Sequence, residues 1–191
     1  MTSPAEFRSL AGRLLVARSD LRDPNFDRAV ILICEHTPQG AFGLVLNQPT
    51  RHLLASALGG VVAGLETCSD ALHRGGPVQP EAVFYLHDRP ETEEVTAAPG
   101  VAFGGDVSGL EALLAALAGD SPPRRRFFLG YSGWGAGQLD GEMRQEAWID
   151  APATPDLVFE PAEERLWARV LESLGGRWAL MARTPRDPGL N

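Results

Sequence analysis

The sequence predicts an α+β fold in a single domain, and three observations lead to that prediction. The chain has 191 residues, which is enough for one sizeable domain and too few for two comfortable ones. Residues 29–34 and 42–46 are apolar runs of strand length joined by a short turn-like segment, which predicts an antiparallel hairpin. Strands and helices alternate unevenly along the rest of the chain, and this favours α+β over a regular doubly wound parallel sheet.

The other strands are predicted from short apolar runs between turn residues. They are residues 14–17, 83–86, 101–103, 126–130 and 147–149. Pro49 is expected to end the second hairpin strand, because proline cannot donate to a sheet ladder. Residues 88–99 are acidic and contain proline, so we expect an exposed loop or an irregular edge there.

Four segments show helical patterns, and two of them carry clear end signals. The four are residues 53–65, 108–117, 138–146 and 161–174. Ser108 and Glu111 match a capping box, and Gly119 follows that helix as a stop. Pro161 fits the first turn of the last helix, and Gly175 ends it. The single domain is expected to span residues 1–191, with residues 10–183 ordered and both ends loose.

The charge balance argues against a nucleic-acid-binding protein. The chain has 25 acidic and 17 basic residues, a formal net charge of −8, and the only basic cluster is at residues 124–126. Affinity for a phosphate backbone comes from neutralising many phosphates, so direct DNA binding is not expected. If the protein has a partner, the composition favours another protein or a small ligand.

Neither a disulfide scaffold, a membrane segment nor a metal site is expected. The two cysteines, Cys34 and Cys68, have no redox or metal spacing. The N-terminus lacks the apolar core of a signal peptide, and residues 53–65 are too short to span a bilayer, so we expect a cytoplasmic protein. The four histidines are scattered, and no metal or other cofactor is expected.

Cys34 and His36 form one candidate reactive pair. In a regular strand, residues i and i+2 share a face, so a His36 imidazolium beside Cys34 would favour the thiolate. This would make the protein a thiol-dependent enzyme or a redox sensor. The alternative is that Cys34 is a small buried apolar residue and that His36 faces water at the end of the strand.

The glycine-rich segment 130–139 is the main candidate binding site. It is expected to be a loop between a strand and a helix, with residue 134 offering a large apolar face. Its spacing matches no P-loop, dinucleotide fingerprint or nucleophile elbow, so residue 132 is not expected to be a hydrolytic nucleophile. A second glycine turn at residues 104–106 is expected to flank it. The candidate binding residues are Gly104, Gly105, Asp106, Ser132, Gly133, Trp134, Gly135, Gly137 and Gln138. The alternative is that these glycines serve only tight packing.

Taken in order, several segments resemble the AlgH/YqgE family of bacterial proteins. They are residues 23–26 (DPNF), 30–36 (VILICEH), 43–49 (GLVLNQP), 75–78 (GGPV), 103–106 (FGGD) and 130–139 (GYSGWGAGQL). The resemblance extends from residue 10 to residue 175. It implies a bifurcated, mostly antiparallel sheet that curls into a pseudo-barrel with helices packed around it. It also implies a regulatory or interaction protein, since the family's name comes from a proposed regulatory role in alginate biosynthesis, and it brings no established catalytic residues.

Overall fold

The computed structural model describes residues 7–21, 23–62, 65, 68–89, 95–117 and 119–184. Within these residues the chain forms ten strands and six helices. The strands are β1 (Arg13–Ala17), β2 (Val30–Thr37), β3 (Gly40–Val45), β4 (Pro49–Leu53), β5 (Ala71–Arg74), β6 (Val78–His87), β7 (Val95–Ala98), β8 (Val101–Gly104), β9 (Arg125–Gly135) and β10 (Trp148–Pro152). The helices are α1 (Leu54–Leu58), α2 (Val107–Ala116), α3 (Gln138–Arg144), α4 (Pro155–Val158), α5 (Glu163–Leu174) and α6 (Gly176–Met181).

All ten strands belong to one curled sheet, and β9 is the strand at which the sheet divides. The main path through the sheet is β10-β1-β2-β3-β9-β6-β8-β7, with antiparallel neighbours throughout. The first half of β9 also pairs in parallel with β5, which in turn pairs with β4. The second half of β9 pairs with β3 instead. The α+β class and the curled, bifurcated antiparallel sheet are thereby confirmed.

The inner core fills the curl of the sheet. Alternate residues of almost every strand point into it, as the period of two along a strand requires. Its strand members include Leu14, Leu32, Leu44, Leu86, Val101 and Phe128. Helices α4 and α5 complete it with Val158, Phe159, Leu166, Trp167, Val170 and Leu171. Two smaller clusters lie on the outer face of the sheet, one under α3 and one under α1 and α2.

The division of the sheet depends on a close backbone contact between residues 75–76 and β9. A Cβ atom added at Gly75 would lie 2.3 Å from the carbonyl oxygen of Gly130, and one added at Gly76 would lie 2.2 Å from the carbonyl carbon of Tyr131. The Gly75 N–H donates to Leu129 O at 2.8 Å, and its carbonyl accepts from Val45 N at 2.9 Å. Gly75 therefore joins β9 to β3 at the point where they begin to separate, which we call the sheet fork.

One end of the inner core is closed by α5 and a buried arginine, Arg126. Its guanidinium donates at 2.8 Å to Leu46 O and at 2.8 Å to Glu160 O. Glu163, in the first turn of α5, lies 2.6 Å from His73 Nε2 and 3.5 Å from Arg126. Burial acts to raise the pKa of Glu163, but the hydrogen bond and electrostatic attraction of His73, together with the nearby charge of Arg126, hold that pKa below its usual value. These contacts fasten α5 to β5 and β9.

Several local predictions differ from the structure. In the segment 88–99, expected to be an exposed loop or an irregular edge, residues 95–98 form β7, an edge strand with an irregular register to β8. Residues 90–94 lie outside the described part. Pro49 was expected to end the second hairpin strand, and it is also the first residue of the next strand, β4. The helix expected at residues 53–65 is shorter, since α1 spans only Leu54–Leu58. The N-cap of α2 is Asp106, whose carboxylate accepts from Gly109 N at 2.8 Å, and not Ser108. Residues 185–191, expected as a loose tail, also lie outside the described part.

None of the helices in the described residues has the length and apolar character needed to cross a membrane.

The sheet fork generates a stability prediction. Gly75→Ala should lower the free energy of unfolding by about 3 kcal/mol, because its methyl group would overlap the Gly130 carbonyl and force the backbones apart. Urea unfolding followed by circular dichroism measures the change. Gly60→Ala is the matched control, since a Cβ there meets nothing within 4 Å and its effect should stay within about 0.5 kcal/mol. Equal effects of the two substitutions would contradict the role assigned to the fork.

Candidate binding site

Four aromatic rings meet on the inner face of the sheet, at the end opposite the buried arginine. They come from four adjacent strands and are Phe42 of β3, Tyr131 of β9, Phe84 of β6 and Phe103 of β8. The ring centroids of Phe42 and Tyr131 are 4.6 Å apart, and those of Phe84 and Phe103 are 5.9 Å apart. All four side chains are only partly buried, although they pack against the inner core. We call them the aromatic cluster.

The strand directions explain why the rings lie at this end. Strand β3 runs from Phe42 toward Leu46, and β9 runs in the opposite direction from Arg126 to Tyr131. Leu46 and Arg126 meet α5 at the closed end, so Phe42 and Tyr131 lie at the other end. A group of large apolar rings that are only partly buried at one end of a core is a candidate docking surface.

Gly104, Gly105 and Asp106 lie beside the aromatic cluster. A Cβ atom at Gly105 would be 2.8 Å from the Phe84 ring, and one at Gly104 would be 2.2 Å from the Tyr85 ring. These two glycines thus make room for consecutive aromatic side chains on opposite faces of β6. Asp106 is exposed and caps α2.

Residues 130–135 are part of β9, so the expected loop between a strand and a helix is wrong. The turn before α3 contains only Ala136 and Gly137. The backbone donor just before this turn is taken internally, since Gly135 N donates to the side chain of Gln138 at 3.1 Å. Gly133 is exposed and neighbours the Tyr131 ring. The glycines remain in a strand because β3 and the sheet fork supply hydrogen-bond partners on this side.

Ser132 and Trp134 are structural residues of the interior. Ser132 is 1% exposed and its hydroxyl donates to Gly75 O at 3.2 Å, so it stabilises the sheet fork. Trp134 is 7% exposed and packs in the outer core under α3, so the apolar face expected at this position is not on the surface. Its indole N–H donates to Glu142 Oε2 at 2.9 Å, and the indole of Trp148 donates to the same oxygen at 2.8 Å.

Cys34 and His36 do not form a reactive pair. A β-bulge between Ile33 and Glu35 breaks the alternation of the strand, so Cys34 points into the inner core while His36 packs on the outer side. His36 Nδ1 accepts from Leu10 N at 3.0 Å, and its other ring nitrogen faces Asp140 at 3.7 Å. Cys34 is 8% exposed, and burial raises the pKa of its thiol well above the ordinary value. A reactive thiolate needs the opposite environment.

The basic run at residues 124–126 is neutralised by acidic partners. Arg124 pairs with Asp88 at 2.6 Å and with Asp156 at 2.9 Å. Arg125 pairs with Asp70 at 2.8 Å, and the buried Arg126 faces Glu163. Arg126 is therefore a residue of the interior and not part of a solvated basic edge. No unpaired arginine of this run is available to contact a phosphate.

A small cleft is a weaker candidate binding site. A cleft of about 180 Å³ lies between α3, β10 and α6, and Arg18, Trp148 and Trp178 contribute to its walls. Arg18 is already paired with Asp20 and Glu146. Among the described residues, no three His, Cys, Asp or Glu side chains gather as metal ligands would.

The family of the chain follows from a match over most of its length. The family model described as AlgH-like (DUF179) matches residues 14–179. This chain belongs to the AlgH-like family. A "UPF0301 protein" of Chlorobium luteolum is 43% identical over 188 residues, covering 96% of each chain. Another from Streptomyces avermitilis is 38% identical and covers 100% of both chains.

Two solved structures share the fold. The solution structure of the AlgH protein from Pseudomonas aeruginosa is 32% identical, covers 97% of this chain and 98% of its own, and aligns with a TM-score of 0.70. The crystal structure of a protein from Corynebacterium diphtheriae is 24% identical, covers 93% and 94%, and aligns with a TM-score of 0.75. At that identity, the second comparison shows the fold alone.

The burial of Cys34 predicts slow thiol chemistry. In a Cys68→Ser variant, native Cys34 should react with a maleimide at neutral pH at least about 100-fold more slowly than glutathione, because a buried thiol with a raised pKa must wait for local opening. Mass spectrometry over time measures the rate. The same protein unfolded in urea should react like the model thiol. Native labelling faster than glutathione would revive the redox alternative.

Trp134 is predicted to be a stability residue. Trp134→Ala should reduce the free energy of unfolding by about 3–5 kcal/mol, since it empties a large buried volume and removes an indole donor from Glu142. Trp178→Ala should cost clearly less, because Trp178 is only partly buried. Denaturant titration of both variants measures the two changes in the free energy of unfolding. An unchanged midpoint for Trp134→Ala would show that this residue is free to serve as a surface binding residue.

Proposed function

We propose that this AlgH-like protein performs no chemistry and acts by binding another protein through the aromatic cluster. The observation that carries the proposal is the partial exposure of Phe42, Phe84, Phe103 and Tyr131 at the end of the inner core away from α5. Clustered, partly exposed aromatic side chains are typical of the central residues of interfaces. Regulation would then be indirect, through the partner's activity.

The shape of the aromatic cluster favours a protein segment over a small ligand. Neighbouring rings are in edge or stacked contact, with centroids 4.6–5.9 Å apart, so no ring-sized gap is left between them. Small ligands are usually enclosed in a cavity, whereas a packed apolar surface suits the side chains of a partner. A small ligand in the cleft beside Trp178 is the alternative.

The charge of the chain supports a protein partner rather than DNA. The formal net charge is −8, and each arginine of the run 124–126 has an acidic partner. Binding to duplex DNA needs several free cations along one face. The cytoplasmic location expected from the sequence stays a prediction.

Site-specific photo-crosslinking tests the proposal. A benzophenone amino acid at position 131, introduced in cells of the organism that carries the gene, should give a discrete crosslinked protein. The same amino acid at position 180, where Leu180 is 69% exposed on α6, should not give that product. A result without any product at position 131, or with identical products at both positions, would contradict docking at the aromatic cluster.

A further inference from the structure

We infer that an extended segment of another protein binds along the free edge of β10 and adds a strand to the sheet. The segment carries an apolar side chain and, next to it, an acidic one. Strand β10 is the terminal strand of the main path, and within the described residues its only strand neighbour is β1. The inference goes beyond the proposed function and does not depend on it, because β10 carries none of the four rings of the aromatic cluster.

The hydrogen bonds of β1 show which backbone groups of β10 point away from the sheet. Ala17 N donates at 2.9 Å to the carbonyl oxygen of the residue just before β2, so the backbone of Ala17 faces β2. Because neighbouring residues of a strand face opposite sides, the backbone of Val16 faces β10, where its partner is Ile149. The residues on either side of that partner, Trp148 and Asp150, therefore direct their N–H and C=O groups toward the free edge.

These outward backbone groups have no partner in the part of the chain that the structure describes. No hydrogen bond joins the outward N–H or C=O groups of Trp148 and Asp150 to another backbone or side chain there. Alternating donors and acceptors along an edge are matched by the backbone of another extended chain. Pro152, which ends β10, has no N–H to donate, so the pairing is limited to the residues before it.

The cleft between α3, β10 and α6 lies at this edge. Met143 packs with the outer cluster under α3, whereas Trp178 packs against the inner core, so these two cleft residues belong to opposite faces of the sheet. An additional strand, which continues the plane of the sheet, would run between them. The volume of about 180 Å³ is below the range of about 300–1,000 Å³ that is usual for small-molecule sites. It suits one apolar side chain of a bound segment.

Arg177 gives the cleft a positive charge that is available to the segment. The guanidinium carbon of Arg177 lies 4.2 Å from the centroid of the Trp178 ring. The other charged side chains that line the cleft, those of Arg18, Glu146 and Asp150, each have an ion-pair partner. Among the described residues, Arg177 has no carboxylate partner. An acidic side chain of the segment would therefore be attracted to Arg177.

A second copy of this chain fits the edge less well than a single segment. In each copy β10 is flanked by α3 and α6, which line the cleft at its edge. Pairing two such edges would bring the helices of both copies together at the same place. A single extended segment has no flanking helices and can enter between α3 and α6.

A random peptide library displayed on phage, with the native protein as its target, is the probe. We expect enriched peptides to contain an acidic residue beside apolar ones. A synthetic peptide of the enriched sequence is then added to isotope-labelled protein, and amide hydrogen exchange is followed by NMR. The amides of Trp148 and Asp150 should exchange at least about tenfold more slowly with the peptide, because they become hydrogen-bonded. The amides of Ile149 and Ala151, which already face β1, should change less.

Two further measurements test the backbone pairing and the charge separately. N-methylation of the peptide should abolish binding at alternate positions and have a smaller effect at the positions between them, since only every second N–H faces β10. Arg177→Gln should weaken peptide binding about threefold. Arg165→Gln, at an exposed position of α5, is the matched control and should leave binding unchanged. Unchanged unfolding midpoints verify that both variants are folded.

The opposite outcomes are distinct. If no enriched peptide protects the amides of Trp148 and Asp150, or if N-methylation has no alternating effect, the added strand is wrong. Protection of these amides that grows with protein concentration in the absence of peptide would place a second copy on the edge and would also overturn the inference. Equal affinity for native protein and Arg177→Gln would overturn the acidic side chain. Peptides that shift only the NMR signals of the Tyr131 ring would support the aromatic cluster and overturn docking at β10.

Discussion

The close backbone contact at the sheet fork is the constraint on which the rest of the structure depends. Gly75 and Gly76 approach Gly130 and Tyr131 so closely that a Cβ atom would overlap the facing backbone. Hydrogen bonds from Gly75 N and Ser132 Oγ fix that approach. Because of it, β9 can leave β5 and join β3, and the sheet can curl around an inner core instead of continuing flat.

This arrangement gives the inner core two different ends. At one end, the buried Arg126 binds backbone carbonyls of residues 46 and 160, and α5 covers the apolar interior. At the other end, the four rings of the aromatic cluster are only partly buried. Paired charges thus hold the closed end together, and the difference between the two ends is the basis of the proposed binding function.

Local signals in the sequence predict the hairpin of β2 and β3 and the helices α2, α3 and α5, because turn residues and helix stops act over a few residues. They do not predict β4 or β5, whose pairing partners are distant along the chain. Strand β7 is a short edge strand that pairs with the next strand, β8. The bulge at Cys34 separates it from His36, and a pattern of two residues cannot reveal such a bulge. Local signals do not predict the aromatic cluster either, because its four rings come from four strands that meet only in the folded sheet. The glycine turn predicted at residues 104–106 does lie beside the aromatic cluster, with Gly105 next to the Phe84 ring.

The two tyrosines of the chain provide the most direct measurement. Tyr131 belongs to the aromatic cluster and is partly exposed. Tyr85, on the neighbouring strand, is 3% exposed and lies under α2. With 3-fluorotyrosine incorporated, fluorine NMR in the presence of a soluble paramagnetic agent should broaden the signal of Tyr131 strongly and that of Tyr85 little, with Tyr131→Phe providing the assignment. Equal protection of both signals would show that the aromatic cluster is covered in solution and would contradict a docking surface at the open end of the core.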